Sequence, residues 1–283
     1  MPRIPDVTLA NPRADRVKQV RALSGRPARS RHGQFLVEGP QGVREAVRHA
    51  AADVRDLYLT QAAAERYVEI LDAALEAGLR VHLGTGEVLE AMSPDAQGVL
   101  AVVRSRALAL DDALREIAGR PLLVSVLANV RDPGNAGTVI RASDAAGADL
   151  VVLAGESVDL HNPKVVRSTA GSLFHLPVVT GLPLADVVAA VRGAGCVVLA
   201  ADGAGPHDLD DLLDVAGSAP DDGRPDLSGS TAWVFGNEAW GLPEADRALA
   251  DAVVRVPIRG RAESLNLATA ATVCLYASGR AQR

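Results

Sequence analysis

From Pro121 onward, uninterrupted apolar runs alternate with segments whose apolar positions recur at helical spacing. The apolar runs are PLLVSVLANV (121–130), DLVVLAG (149–155), CVVLAAD (196–202), TAWVFG (231–236) and AVVRVPI (252–258). Helices are predicted near 135–147, 162–172, 184–194, 243–250 and 264–280. Strands apolar on both faces, separated by helices, predict an α/β domain with a mostly parallel sheet over 118–283. Upstream the pattern is shorter and more polar. It predicts a helix over 16–24, strands at 34–39, 54–60, 80–84 and 99–104, and helices over 40–51 and 61–77. These make a small αβ unit over 1–106, and a stretch of mixed polarity (107–121) joins it to the larger domain. Residues 215–230, rich in Gly, Pro, Ser and Asp, are predicted as loop.

Composition narrows the picture. Of the 283 residues 48% are hydrophobic but only 3% aromatic, so the core is built from Ala, Val and Leu. Both cysteines, Cys196 and Cys274, sit in apolar runs and read as small buried hydrophobes. The six histidines are scattered, with no zinc-like spacing to each other or to cysteine, so no metal is expected, and His161 and His175 read as structural. No run reaches the ~18 apolar residues of a membrane span, and the N-terminus lacks a signal peptide's apolar core, so a cytoplasmic protein without membrane association is expected.

Charge is distributed unevenly. Residues 1–50 carry ten Lys/Arg against four Asp/Glu, whereas the rest of the chain carries nineteen against thirty-one. Arg16, Lys18, Arg21, Arg26, Arg29 and Arg31 follow one another without an intervening acid. They read either as a basic arm for a polyanion such as RNA or as a solvated helix face.

In a parallel sheet the chemistry lies beyond the carboxyl ends of the strands. After the first large-domain strand comes NVRDPGNAGTVIRASDAAGAD (129–149), with Asn135 as the predicted N-cap and Arg141 one and a half turns further on. After the fourth comes FGNEAWGLP (235–243), where Gly236 opens the main chain and Asn237 and Glu238 offer polar side chains. After the fifth comes VPIRGRAESLNLATAATVCLY (256–276), with Ser264 as the predicted cap and Asn266 in the first helical turn. No Walker A pattern occurs, and no GxGxxG opens a helix after a strand, which counts against an ATP-binding or nicotinamide-dependent enzyme.

These three segments, in this order, resemble the three motifs of the SpoU (TrmH) family of RNA 2'-O-ribose methyltransferases, in the SPOUT superfamily. FLVEGPQGVREAV near the N-terminus is similar to the small substrate-binding domain that precedes the catalytic domain in many members. The resemblance implies a trefoil-knotted C-terminal domain, a homodimer, and S-adenosyl-L-methionine bound in the knot against Leu199, Ala200, Gly236, Asn237, Val256, Ile258 and Leu265. It makes Arg141 the central catalytic residue, positioned with the help of Asn135, Glu238, Ser264 and Asn266. Large-subunit ribosomal RNA is the expected substrate; tRNA is the alternative, and a catalytically silent RNA-binding homologue a further one.

Overall fold

The computed structural model describes residues 9–218 and 223–283; the first eight residues of the predicted N-terminal unit and 219–222 of the predicted loop lie outside the described residues. The chain divides into two compact units, one reaching to Arg106 and including Asp159–His175, the other comprising Ala107–Val158 and Leu176–Arg283.

In the first unit, β1 (Gln34–Glu38), β2 (Val54–Leu59), β3 (Val81–Leu83) and β4 (Val99–Arg104) form a sheet ordered β1-β4-β2-β3. β4 runs antiparallel to β1 and β2, and β3 parallel to β2. Strand side chains alternate between faces, and here both faces are covered. Phe35, Val37, Ala101 and Val103 meet Val43, Ala46 and Val47 of the Gly39–His49 helix. Leu36, Leu100 and Val102 meet Val17 and Val20 of the Asp15–Ala22 helix, and Val88 and Met92 of the Gly86–Met92 helix. The predicted 61–77 helix is broken at Tyr67 into Gln61–Arg66 and Val68–Glu76.

The basic segment is not a free arm. It folds as the helices Asp15–Ala22 and Arg26–His32, and Val17, Val20 and Leu23, three residues apart, bury one face in the core. Arg16, Lys18, Arg21, Arg26 and Arg31 remain exposed, Arg16 beside the His82 ring and Lys18 paired with Asp15. Arg29 departs from the expectation of an RNA contact. It is 6% exposed, its Nε and Nη2 donate to Asp159 at 3.1 and 2.6 Å, and its Nη1 donates to the Leu23 and Ser24 carbonyls. Four of its five N–H donors are spent inside the unit, and burial keeps the side chain from reaching phosphate.

Burial pulls the Asp159 carboxyl upward, but hydrogen bonds from Arg29 and the His161 main-chain N–H, together with the Arg29 charge, outweigh it and hold the pKa below the usual value. A lowered carboxylate stabilises the fold above its unfolded-state pKa, and that contribution is lost as pH falls through the folded value. Arg29→Ala is therefore expected to destabilise the chain by about 2–4 kcal/mol at neutral pH, since it strands a largely buried carboxylate. The gap from the parent, read by denaturant melts across pH, closes in acid; a gap that does not vary with pH would exclude the pair as its source.

In the second unit, β5 (Leu123–Ala128), β6 (Leu150–Ala154), β7 (Val178–Thr180), β8 (Val197–Ala201), β9 (His207–Asp208), β10 (Thr231–Phe235) and β11 (Ala252–Arg255) form a sheet ordered β7-β6-β5-β10-β8-β11-β9. Every pairing in it is parallel. One face, with Val124, Val126, Val152, Val198 and Val234, packs on Leu110, Ala113, Val187 and Val191 of two helices. Across the other lies the C-terminal helix Leu267–Ala281, whose Ser278 Oγ takes the indole N–H of fully buried Trp233 at 2.9 Å. That helix packs along Pro133–Ala146. Cys196 and Cys274 are free and buried, and burial pushes the Cys196 thiol up to about 11.

Candidate active site

Beyond the carboxyl end of β5 the chain turns sharply. Asn129 takes a left-handed φ of 55°, and its side-chain oxygen accepts from the Glu156 N–H at 2.9 Å. Asp132, not Asn135, caps the next helix, accepting from the Asn135 N–H at 2.7 Å. The helix starts at Pro133 because proline lacks the N–H that a first helical residue cannot use, and its φ suits that position. Asn135 is thus the third helical residue, its side chain released from capping. Arg141 lies more than two turns in, about 9 Å further along the axis and on a different face from Asn135.

Beyond β10, Gly236 leads into a tight hairpin in which Asn237 and Gly241 exchange main-chain hydrogen bonds of 3.0 and 2.9 Å. The buried Asn237 side chain braces it, donating to the Asn129 carbonyl at 2.8 Å and accepting from the Ala239 N–H at 2.9 Å. Glu238 and Trp240 are exposed at its tip; Trp240 is 54% exposed, with the Arg131 guanidinium 5.5 Å from its ring centroid.

Beyond β11, the predicted cap at Ser264 gives way to Asn266, whose Oδ1 accepts from the Ala268 N–H at 2.9 Å. Ser264 stays in the exposed approach to the helix. The main-chain donor at one end fixes the orientation of a whole chain of amides. With Oδ1 committed to Ala268, Asn266 Nδ2 donates to Asn135 Oδ1 at 3.1 Å, leaving Asn135 Nδ2 to donate to Glu238 Oε1 at 3.2 Å. An aspartate at 266 would cap as well, but would have no hydrogen to give Asn135. Three sequence motifs are thereby joined by two side-chain hydrogen bonds ending on a carboxylate.

Beside this chain of amides opens a cavity of about 360 Å³, lined by Gly236, Asn237, Glu238, Val256, Ile258, Ser264 and Leu265 among others. Leu199 and Ala200, expected at this site, are instead wholly buried within β8; Ala201, Asp202 and Gly203, where that strand ends, reach the cavity. Burial decides the difference: pairing with β10 on one side and β11 on the other encloses Leu199 and Ala200, and the chain opens only after Ala201. Asp202 is held by Arg247 at 3.0 Å. The volume, the walls of Val254, Val256, Ile258 and Leu265, and the main chain bared at Gly203 and Gly236 suit a flat adenine-type ring with a polar tail. Arg141 does not line the cavity. It is exposed, on the side of its helix that also carries Thr138 and Ala145.

The methylase family model described as "SpoU rRNA Methylase family" matches residues 122–276, more than half of the chain, and "MRM3-like substrate binding domain" matches 14–101. The protein belongs to the SpoU rRNA methylase family. It is 36% identical to a 23S rRNA (uridine(2479)-2'-O)-methyltransferase of Streptomyces viridochromogenes, over 98% of this chain and 94% of that one. It is 30% identical to the 23S rRNA (guanosine(2553)-2'-O)-methyltransferase RlmP of Bacillus subtilis, over 92% and 94%. Among solved structures, the SpoU methyltransferase AviRb from Streptomyces viridochromogenes in complex with AdoMet superposes with a TM-score of 0.77, 34% identity, and coverage of 94% of this chain and 98% of that one.

Proposed function

We propose that this protein transfers a methyl group from S-adenosyl-L-methionine to a ribose 2'-hydroxyl of 23S ribosomal RNA. The observation that carries the reading is the Asn266–Asn135–Glu238 chain at the rim of an apolar cavity, which unites the three family motifs. The relatives named above act on large-subunit RNA, one at a uridine and one at a guanosine, which favours that RNA over tRNA while leaving the base to experiment.

When bound, the cofactor supplies a sulfonium methyl that is already electrophilic. The protein's own task is alignment and charge stabilisation. The 2'-oxygen forms its bond to the methyl carbon as the sulfur–methyl bond breaks to leave a thioether, and the hydroxyl proton passes to solvent. Arg141 presents its guanidinium to the negative charge growing on the 2'-oxygen and stabilises it. Glu238, Asn135 and Asn266 hold the ribose edge, Ser264 lies along the approach, and Val256, Ile258, Leu265 and the Gly236 main chain enclose the adenosine. Trp240 offers an exposed flat face for a base. Arg16, Lys18, Arg21, Arg26 and Arg31 supply phosphate contacts whose benefit falls steeply with salt.

The reading includes the family's trefoil knot, supported by the order β5-β10-β8-β11, in which a late strand lies between two earlier ones. It also includes a cytoplasmic homodimer; no described helix is long and apolar enough to cross a membrane. The C-terminal helix leaves Val273 40% and Tyr276 50% exposed, and its neighbour carries Arg141. A second copy covering these apolar residues would bring Arg141 to an interface, which accounts for a catalytic arginine outside its own cavity. Tyr276→Arg combined with Val273→Glu is expected to convert dimer to monomer by light scattering; a parent that already runs as a monomer would remove this part of the reading.

The deciding experiment is transfer of labelled methyl from S-adenosyl-L-methionine to unmodified 23S RNA and to tRNA, followed by mapping of alkali-resistant linkages. One protected 23S position is expected. Label confined to tRNA would move the substrate, and label without alkali resistance would overturn ribose chemistry.

A further inference from the structure

The first unit brings together three side chains that the sequence keeps far apart. Glu45 and His49 stand four residues apart on one face of the Gly39–His49 helix, and His175 follows the short turn Ser172–Phe174. His49 Nε2 lies 3.4 Å and His175 Nε2 3.2 Å from the same oxygen, Glu45 Oε2. The two rings meet edge to face with centroids 4.9 Å apart, and the three donor atoms lie within 4.8 Å of one another.

We propose that Glu45, His49 and His175 bind a zinc-class divalent ion. Tetrahedral zinc with bonds of 2.0–2.1 Å to nitrogen and oxygen separates its ligand atoms by about 3.3 Å. Two of the three separations here already fall at that value, and the third can close by rotation of His49, whose side chain is 49% exposed. Two imidazoles and one carboxylate suit zinc, nickel or copper; magnesium and calcium prefer oxygen alone. Water completes the coordination from the open side. Solvent does not compete for the carboxylate as it would on a bare surface, because the Glu45 side chain is only 18% exposed.

Glu45 is also held in place by the backbone opposite. Gly171 has a φ of 102°, and a Cβ there would lie 2.5 Å from Glu45 Cγ. Only glycine permits this approach, so the chain leading to His175 is shaped around the stem of the Glu45 side chain. The free cysteines are both buried and offer no competing thiolate.

The consequence is structural. His175 is the last residue of Asp159–His175, a segment that interrupts the second unit in sequence yet belongs to the first. An ion bridging His175 to the Gly39–His49 helix would staple that segment in the unit against which Val166, Leu173 and Phe174 already pack. The binding free energy would then add to the stability of the fold. Glu45 and His49, four residues apart on one helix, are too few ligands for a site to be read from spacing, and the third comes from a distant turn.

The test uses full-length, tag-free, chelator-treated protein and Zn²⁺ alone, followed by calorimetry and thermal melting, with Co²⁺ absorption as a spectroscopic readout. One equivalent per chain is expected, with a melting temperature raised by several degrees at ~100-fold excess over Kd. Co²⁺ should give intense visible d–d bands. His49→Ala and His175→Ala should each weaken binding at least about 10-fold, Glu45→Gln should do the same, and His207→Ala should change nothing. Mg²⁺ should leave the melt unmoved. Absence of saturable Zn²⁺ binding by the parent, or binding unaltered by both His49→Ala and His175→Ala, would overturn the proposal. These readouts do not depend on methyl transfer, so the site stands or falls apart from the proposed activity.

Discussion

Arg141→Ala is expected to lower methyl transfer by about 10³-fold while leaving S-adenosyl-L-methionine affinity within a few-fold of the parent. The split follows from position. Arg141 does not line the cavity of its own chain, and its proposed role is toward the ribose oxygen rather than the cofactor. It is exposed on the outer face of the Pro133–Ala146 helix, so truncation should cost the fold no more than about 0.5 kcal/mol. In the proposed mechanism the lost cation matters only once the 2'-oxygen becomes anionic, and an interaction made only in the transition state appears in kcat rather than in binding. Arg141→Lys sharpens the point: it keeps the charge but loses the planar fork, and should recover only part of the rate. The measurement is single-turnover transfer to 23S RNA beside calorimetric titration of the cofactor. Near-parental turnover in Arg141→Ala would remove Arg141 from the mechanism.

The strands flanking the site were legible because each is buried on both faces. Leu123–Ala128 and Leu150–Ala154 read as short continuous apolar runs, the pattern of a strand buried on both faces. Two short strands, Val178–Thr180 and His207–Asp208, were missed because three or two residues carry no readable period. The motif residues were legible as a set, but their roles were not. Asp132 and Asn135 are both good caps, and so are Ser264 and Asn266. Propensity alone cannot choose between such neighbours, and the choice lies in which one the tertiary structure needs free for a longer reach. Asn135 is free because Asp132 does the capping, whereas Asn266 caps and donates at once. Arg29 misled for a related reason. It sits among cations that are exposed, and only its partner Asp159, 130 residues away, shows that it is structural. The same distance hid the placement of Asp159–His175 in the first unit, since its helical pattern fits either one.

Gly236→Ala is expected to weaken cofactor binding strongly, with affinity falling by about 10- to 100-fold. A Cβ at 236 would lie 2.5 Å from the Gly241 carbonyl oxygen and 2.6 Å from the Leu242 nitrogen. Both are main-chain atoms, so no rotamer relieves the clash and the hairpin itself must move. That hairpin is closed by the reciprocal Asn237–Gly241 bonds and braced by Asn237 on the Asn129 carbonyl, so displacing Gly241 disturbs the Glu238 end of the amide chain as well as the cavity wall. Overpacking of this kind costs roughly 1–3 kcal/mol, which lowers affinity by one to two orders of magnitude without unfolding a domain of this size. Gly260→Ala is the matched control, because a Cβ there meets nothing within 4 Å. The pair should be compared by calorimetric titration with S-adenosyl-L-methionine and by circular dichroism. Weakened binding with a retained spectrum in Gly236→Ala, and parental behaviour in Gly260→Ala, would tie the cavity to the cofactor through one main-chain approach. Parental affinity in Gly236→Ala would mean that the cofactor binds elsewhere, whatever the fate of Arg141.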